Sequence, residues 1–356
     1  MKGQGVKAMK GGVIKDPPNY FRHVHVPTAD EIVNKVLKRY PKLKPKGNRP
    51  RDKLNLELER LNLVYQIILD KLKFLDEMPK PERLHPFYLE LASLTVPYQK
   101  YWASVLGLIR LREKMREMWE DYRALLRAAV SLEDAARIRR EAVGRALSMV
   151  RRSRGALQTI RDFKYAVASL PSIDFTQPRI VVAGMPSSGK SSFVKKVSTA
   201  DVEVASYPFT TREVHVGHID IGDFKVQVVD TPGILDRPWD KLNEIERKAA
   251  AAIRYLPSVL LFLYDVSPES YGIEDQTEVL DNVLKVVPKD KIVIALNKMD
   301  VAEEGKVKLA KEKAEELGLP VFEISVKTGK GLKELLEYLI KRSVESLAEE
   351  GAETSG

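Results

Sequence analysis

At 356 residues, with 44% hydrophobic and 31% charged side chains, the chain has the length for two domains and the composition of a soluble globular protein. It contains no cysteine, which excludes disulfides, zinc thiolates and thiol catalysis, and no run of eighteen apolar residues, so no membrane-spanning helix is expected. The net charge of +9 hides an asymmetry: residues 1–172 hold 35 Lys+Arg against 19 Asp+Glu, a balance of +16, while 173–356 hold 24 against 31, or −7. That division points to a polyanion partner for the first half.

Residues 1–27 are a basic arm with scattered Gly and Pro and no apolar core of a secretory signal, so the cytoplasm is the default compartment. Residues 28–172 carry helix periodicity throughout. "TADE", Thr28 to Glu31, has capping-box spacing and predicts a short helix to about Tyr40. "PKLKPKGNRPR" is a basic, Pro-rich connector, and Leu54–Leu75 repeats apolar residues at three and four. A second long helix is predicted over about Tyr98–Ala129 and a third from Ser131, its N-cap, to about Ser169. On that third helix Arg137, Arg140, Arg151 and Arg152 lie opposite Ala146, Val150 and Leu157, giving a basic side and a packing side. The expected architecture is an N-terminal antiparallel α-helical bundle that binds RNA; a merely solvated Lys/Arg-rich surface is the plainer alternative.

The texture changes at "LPSIDFTQPRIVVAG", and residues 173–345 alternate strands with helices. Strands are predicted at Arg179–Ala183, Glu213–Ile221, Phe224–Val229, Val259–Tyr264, Lys291–Leu296 and Val321–Ile324. Helices should follow Gly189, Asp240, Glu274, Lys306 and Gly331, and Gly222-Asp223 should turn one antiparallel edge hairpin. This is an α/β pattern, a mostly parallel sheet with helices on both faces. Residues 346–356 read as a disordered tail.

Five motifs carry the chemistry. "GMPSSGKS" fits G-x-x-x-x-G-K-[ST] between a strand and a helix, where backbone N–H groups can face phosphate oxygens. Gly184, Pro186, Ser187, Ser188, Gly189, Lys190, Ser191 and the following Ser192 are its expected nucleotide contacts, with Lys190 on the β- and γ-phosphates and Ser191 on Mg²⁺. "YPFTTR" supplies hydroxyls over the Mg²⁺ site: Thr211 is the favoured ligand and Thr210 the alternative. In "DTPGILD", Asp230 reaches Mg²⁺ through water and the Gly233 N–H can touch a γ-phosphate. Lys190, Thr211 and Gly233 are therefore the residues expected to act on the reacting phosphate. "NKMD" ends an apolar strand: Asp300 can accept from both N1–H and N2–H₂ of guanine, Asn297 can bond N7 and neighbouring loops, and Lys298 lies between them. "SVKTGKG" ends the next strand, where Ser325 would buttress the loop, the Val326 N–H would meet guanine O6, and Lys327 follows. Together they describe a P-loop GTPase domain using GTP/GDP and Mg²⁺. The five histidines lack metal-ligand spacing and read as packing or surface residues.

Beyond these motifs, "LPSID", "YPFTT", "VGHID", "DTPGILDRP" and the upstream "HPFYLEL" resemble the nucleolar GTP-binding protein family, Nog-type GTPases of the Obg-like group. The resemblance covers roughly residues 25–345 and is to a short, prokaryotic, archaeal-like form without the long C-terminal extension of eukaryotic relatives. It implies a GTPase that acts in assembly of the large ribosomal subunit, with the helical domain gripping rRNA in a pre-ribosomal particle alongside other assembly factors. No membrane partner and a monomeric state are expected. The resemblance also places Ile234 where other GTPases carry the glutamine that orients the attacking water. Water must then be held by backbone, by the Thr210–Thr211 segment or by a partner, and Arg212 or Arg237 can supply charge. Ser187 stands where many relatives have Asn, which argues against carrying over the potassium-assisted mechanism of the Asn-bearing GTPases and leaves potassium dependence open. Slow hydrolysis is expected; the alternative is a nucleotide-gated RNA placeholder in which hydrolysis is incidental. A P-loop kinase or ATPase is disfavoured by "NKMD".

Overall fold

The computed structural model describes residues 12–206, 213–222, 224–230, 250 and 253–353. They form two compact units: one holds residues 20–84 and 95–166, the other 14–19, 85–94 and the described residues from 167 onward.

After a first helix α1 (Pro17–His23), the helical unit is built from α2 (Ala29–Arg39) and α3 (Pro50–Lys71). The segment His85–Leu94 carries α4 (Pro86–Ser93), and then come α5 (Tyr98–Arg127), α6 (Leu132–Arg152) and α7 (Arg154–Ala168). Local chemistry sets the helix starts. Thr28 sits in the extended region and its hydroxyl accepts from the Glu31 N–H at 3.0 Å, and Ser131 caps α6 by accepting from the Asp134 N–H at 3.1 Å. α3 begins earlier than its periodicity predicts, with Pro50 in the first turn, where a missing N–H costs nothing.

α3 packs against both α5 and α6, and α2 against α3 and α6. Their inward stripes (Ile32, Val36, Leu61, Val64, Ile68, Val105, Leu108, Ala142, Ala146) are buried. Tyr101 stacks on Phe163 with ring centroids 4.1 Å apart, and its hydroxyl donates to the Pro79 carbonyl at 2.9 Å, which makes burial of the phenol tolerable. A half-buried polar knot ties α3 to α6: Arg139 donates to the Glu57 carboxylate and to the Tyr40 hydroxyl, while Arg60 holds Glu57 from the other side. The single third helix expected from Ser131 is interrupted at Ser153, whose hydroxyl donates to the Val150 carbonyl at 2.7 Å; such back-bonding competes with the helix ladder. Arg137, Arg140, Arg151 and Arg152 are exposed, and Ala146, Val150 and Leu157 are buried.

The second unit centres on a seven-stranded sheet of order β2-β3-β4-β1-β5-β6-β7. Its strands are β1 (Arg179–Ala183), β2 (Glu203–Ser206), β3 (Glu213–Ile221), β4 (Phe224–Asp230), β5 (Val259–Asp265), β6 (Ile292–Asn297) and β7 (Val321–Glu323). Its helices are α8 (Lys190–Val197), α9 (Ile273–Leu284), α10 (Glu304–Glu316) and α11 (Leu332–Glu353), so α11 runs on through most of the segment read as a tail. β1 pairs in parallel with β4 and β5, and β5, β6 and β7 continue in parallel; β3 is antiparallel to β4 and to β2, an edge strand absent from the sequence expectation. β1 after Arg179 and β5 before Asp265 are apolar because both faces are covered. Ile180, Val182, Leu261 and Leu263 face a core shared with Phe193 and Leu335; Val181, Leu260 and Phe262 face one shared with Val279 and Ala310.

α4 belongs to this second core, although its sequence lies inside the helical stretch. Phe87, Tyr88 and Leu91 are fully buried with Leu170, Ile173 and Leu260. The Tyr88 hydroxyl donates to the Pro171 and Ile173 carbonyls at 3.1 and 3.2 Å and accepts from the Ile173 N–H at 2.8 Å. His85 stacks on Phe175 at 3.4 Å between centroids, and Glu90 accepts from Arg254 and the Tyr255 hydroxyl, both at 2.8 Å.

Candidate functional site

Every strand that feeds the site ends at the same edge of the sheet. Register places Val182 beside Asp230 and Asp265 beside Asn297, so loops after β1, β4, β5 and β6 converge there. The first of these, Gly184–Ser191, turns on three residues with positive φ: Gly184 at 143°, Ser187 at 65° and Gly189 at 102°. At Gly184 a side chain would lie 2.6 Å from the Leu263 carbonyl oxygen, so only glycine fits between the loop and β5. Gly189 caps α8, whose N-terminus opens into the loop.

Lys190 is buried, and its ammonium donates to the Gly184 carbonyl at 2.8 Å and the Met185 carbonyl at 3.0 Å, inside the curl of the loop. The Ser191 hydroxyl donates to Oδ2 of Asp230, a fully buried carboxylate at the end of β4. His215 of β3 stands beside this pair, with Nδ1 3.8 Å from the same Oδ2. Ser187 and Ser192 are exposed along the loop, Pro186 is half-buried, and the Ser188 side chain is turned inward.

The loop after β6 is fastened to the phosphate loop by one amide. Asn297 Nδ2 donates to the Ser188 carbonyl at 2.8 Å, and Asn297 Oδ1 accepts from the Val326 N–H at 3.1 Å. The Val326 N–H, expected to meet guanine O6, here serves the buried Asn297 amide oxygen, which needs a donor.

Ser325, fully buried, donates from Oγ to Asp300 Oδ1 at 2.6 Å and accepts from the Thr328 N–H at 3.2 Å. That hydroxyl holds the Asp300 carboxyl below the ordinary carboxylate range, with Lys327 and Lys298 adding smaller contributions, so it is ionised at neutral pH. Lys298 adopts a left-handed conformation at φ 70°, and its ammonium pairs with Asp265 at the end of β5. Gly189, Asn297, Lys298, Asp300, Val326 and Lys327 line one cavity of about 710 Å³, within the size range of small-molecule and cofactor sites.

The structure thereby brings Ser188–Ser192, Asp230, Asn297–Asp300 and Ser325–Lys327 to one edge of the sheet. Thr210, Thr211, Arg212, Gly233, Ile234 and Arg237 lie outside the described residues. Asp265 was missed by the sequence reading, which closed β5 at Tyr264; an acidic residue ending the otherwise apolar "VLLFLYD" was its one signal.

Residues 21–174 match the family described as "NOG1 N-terminal helical domain", and 179–298 match "50S ribosome-binding GTPase". An uncharacterized protein of Methanocaldococcus jannaschii is 33% identical over 78% of this chain and 80% of its own length. The chain belongs to the Nog1-type family of P-loop GTPases. Nucleolar GTP-binding protein 1 of Caenorhabditis elegans is 30% identical over 88% of this chain and 48% of its own length. A solved structure titled nucleolar GTP-binding protein 1, from Plasmodium falciparum, shares 32% identity over 52% of this chain and 93% of that one, with a TM-score of 0.42. This Nog1-type chain spans about half the length of the curated nucleolar relatives it matches. The cytoplasmic default drawn from the N-terminus is corrected by those relatives, which are named for the nucleolus. No described helix is long and apolar enough to cross a membrane.

Proposed function

We propose that this Nog1-type chain binds and slowly hydrolyses GTP as an assembly factor of the large ribosomal subunit, gripping rRNA with its basic helical unit. The observation that carries the nucleotide half is the Asn297 amide. It ties the phosphate loop to the Val326 loop, so that Gly189, Asp300 and Val326 line one cavity. The rRNA half rests on the +16 balance of residues 1–172 and on the exposed row Arg137, Arg140, Arg151 and Arg152.

Mg²⁺ fits the donors at the end of β4. The Ser191 hydroxyl and the buried Asp230 carboxylate already touch, and both are the hard oxygen ligands this ion takes. Thr211 is proposed as the third protein ligand. When bound, the ion neutralises charge on the phosphates; Lys190 adds a cation within the loop, and Ser187, Ser188, Gly189, Ser192 and the α8 N-terminus orient the phosphate chain. Asp300 selects guanine by accepting two donors that adenine does not offer together. Ile234, in the position of the usual glutamine, can neither donate nor accept a proton, so water is oriented by other groups and turnover is slow alone. That same apolar residue favours one alternative, a nucleotide-gated RNA placeholder in which hydrolysis is incidental.

Calorimetry with GDP, GTP, ADP and ATP, followed by GTP turnover with and without large ribosomal subunits, tests the reading. Guanine-selective binding and subunit-stimulated turnover are expected. Equal binding of adenine nucleotides would overturn the base assignment, and turnover indifferent to subunits would favour the placeholder.

A further inference from the structure

The loop after β5 is held from four sides in a way that the nucleotide contacts above do not explain. The Asp265 backbone is read at both ends by one side chain: its N–H donates to Gln276 Oε1 at 2.8 Å, and its carbonyl accepts from Gln276 Nε2 at 2.9 Å. Gln276 is fully buried on α9. The carboxylate is fixed next. Asp265 Oδ1 accepts from the Ser267 N–H at 3.0 Å and from the Ser267 hydroxyl at 2.7 Å.

The residues beyond are clamped by Lys306 of α10, whose ammonium donates to the Ser267, Pro268 and Ser270 carbonyls and to the Ser270 hydroxyl at 2.9–3.2 Å. Ser270 in turn donates to the Asp265 carbonyl at 2.8 Å. Backbone stitches close the unit, from the Val266 N–H to the Asn297 carbonyl at 3.2 Å and from the Glu303 N–H to the Val266 carbonyl at 2.8 Å.

All of this leaves one oxygen of a 5%-exposed carboxylate, Asp265 Oδ2, aimed at a single target. That target is the ammonium of Lys298, the second residue of "NKMD", 2.5 Å away. Lys298 needs such a tether. Its left-handed backbone is disfavoured for a side chain with a Cβ, and a free lysine carries a large rotamer entropy that ordering must overcome. Anchored at its tip, its aliphatic stem becomes a fixed wall of the cavity lined by Asn297 and Asp300.

We propose that Asp265 is a positioning residue for the base pocket, holding Lys298 so that its stem forms a preorganised surface against the base and ribose of the bound nucleotide. The proposal rests on the reading of this cavity as a guanine-nucleotide site. Asp265 itself touches no nucleotide; it acts through Lys298, and Ser267 and Gln276 act through Asp265.

A double-mutant cycle on the full chain separates this role from a merely structural one. GDP affinity is measured by calorimetry for wild type, Asp265→Asn, Lys298→Met and the double variant, with thermal unfolding as the folding control. Asp265→Asn weakens GDP roughly tenfold in the wild-type background, the scale of coupling between directly contacting residues. In the Lys298→Met background the same change costs nothing or restores affinity, because it then removes a buried carboxylate that has lost its cation.

Ser267→Ala is a gentler second probe that keeps the charge and loosens only its grip. It weakens GDP less, in the same direction, and only when Lys298 is present. Equal losses in both backgrounds, from either Asp265→Asn or Ser267→Ala, would overturn the proposal and make the network a simple loop brace. Absence of GDP binding by the wild-type protein is the separate result that overturns the nucleotide reading itself.

Discussion

Replacing Tyr88 by Phe removes one oxygen and leaves the packing of a fully buried ring unchanged. That oxygen makes three contacts: it donates to two carbonyls and accepts from the Ile173 N–H. Without it, the Ile173 N–H is left in the core with no acceptor, a penalty of about 1–3 kcal/mol, and the hydroxyl's own bond is lost at about 1 kcal/mol net. We expect a destabilisation of about 2–4 kcal/mol, confined to the unit that owns α4. Amide hydrogen exchange followed by mass spectrometry reads the units separately: peptides over β1 and β5 report the second, and peptides over α3 and α5 serve as reference. At about 1.4 kcal/mol per factor of ten, opening in β1 and β5 should accelerate roughly 30- to 700-fold. An acceleration under about threefold, or an equal one in α3, would refute the assignment of this helix to the sheet domain.

Asp300→Asn should weaken GTP and gain xanthosine triphosphate, because an amide can donate to the carbonyl that replaces the guanine amino group; unchanged GTP affinity in calorimetry would discredit the base site. Lys190→Ala, removing a buried ammonium from within the phosphate loop, should cost about 2 kcal/mol or more of GTP binding, measured in the same way. Ile234→Gln should change single-turnover hydrolysis little or slow it, and a rise of about tenfold would overturn the proposal that water is oriented by other groups. Replacing Arg137, Arg140, Arg151 and Arg152 by Gln should flatten the salt dependence of rRNA binding while circular dichroism stays native. A folded variant with the original slope would leave that row a solvated face.

The phosphate and base loops were legible because their residues answer local demands. Gly184 and Gly189 stand where φ is positive, and "NKMD" follows a strand that is apolar on both faces. The long helices were legible from their period and from the caps at Thr28 and Ser131. What escaped was decided by partners distant in sequence. β2 is four residues long, too short for alternation to declare itself, and exists through pairing with β3. The break at Ser153 turns on one hydroxyl choosing a carbonyl three residues back. α4 has the texture of the helices around it, and only Leu170, Ile173 and the sheet show where its apolar residues go. Asp265 was hidden for a similar reason: its meaning lies in Gln276, Ser267 and Lys298, none of which is its neighbour in a motif.

The placement of α4 has a consequence for how the chain comes off the ribosome. Phe87, Tyr88 and Leu91 are synthesised before any strand of the sheet that buries them, and the last helix of that core, α10, emerges about 200 residues later. At roughly 5–20 residues per second, translation leaves these apolar side chains waiting for about ten seconds or more. During that interval the nascent chain carries a short apolar segment whose packing partners in the sheet have not yet been made. A fragment ended near residue 172 would hold that segment uncovered for its whole lifetime, and aggregation of such fragments would trace to α4 rather than to the basic helices.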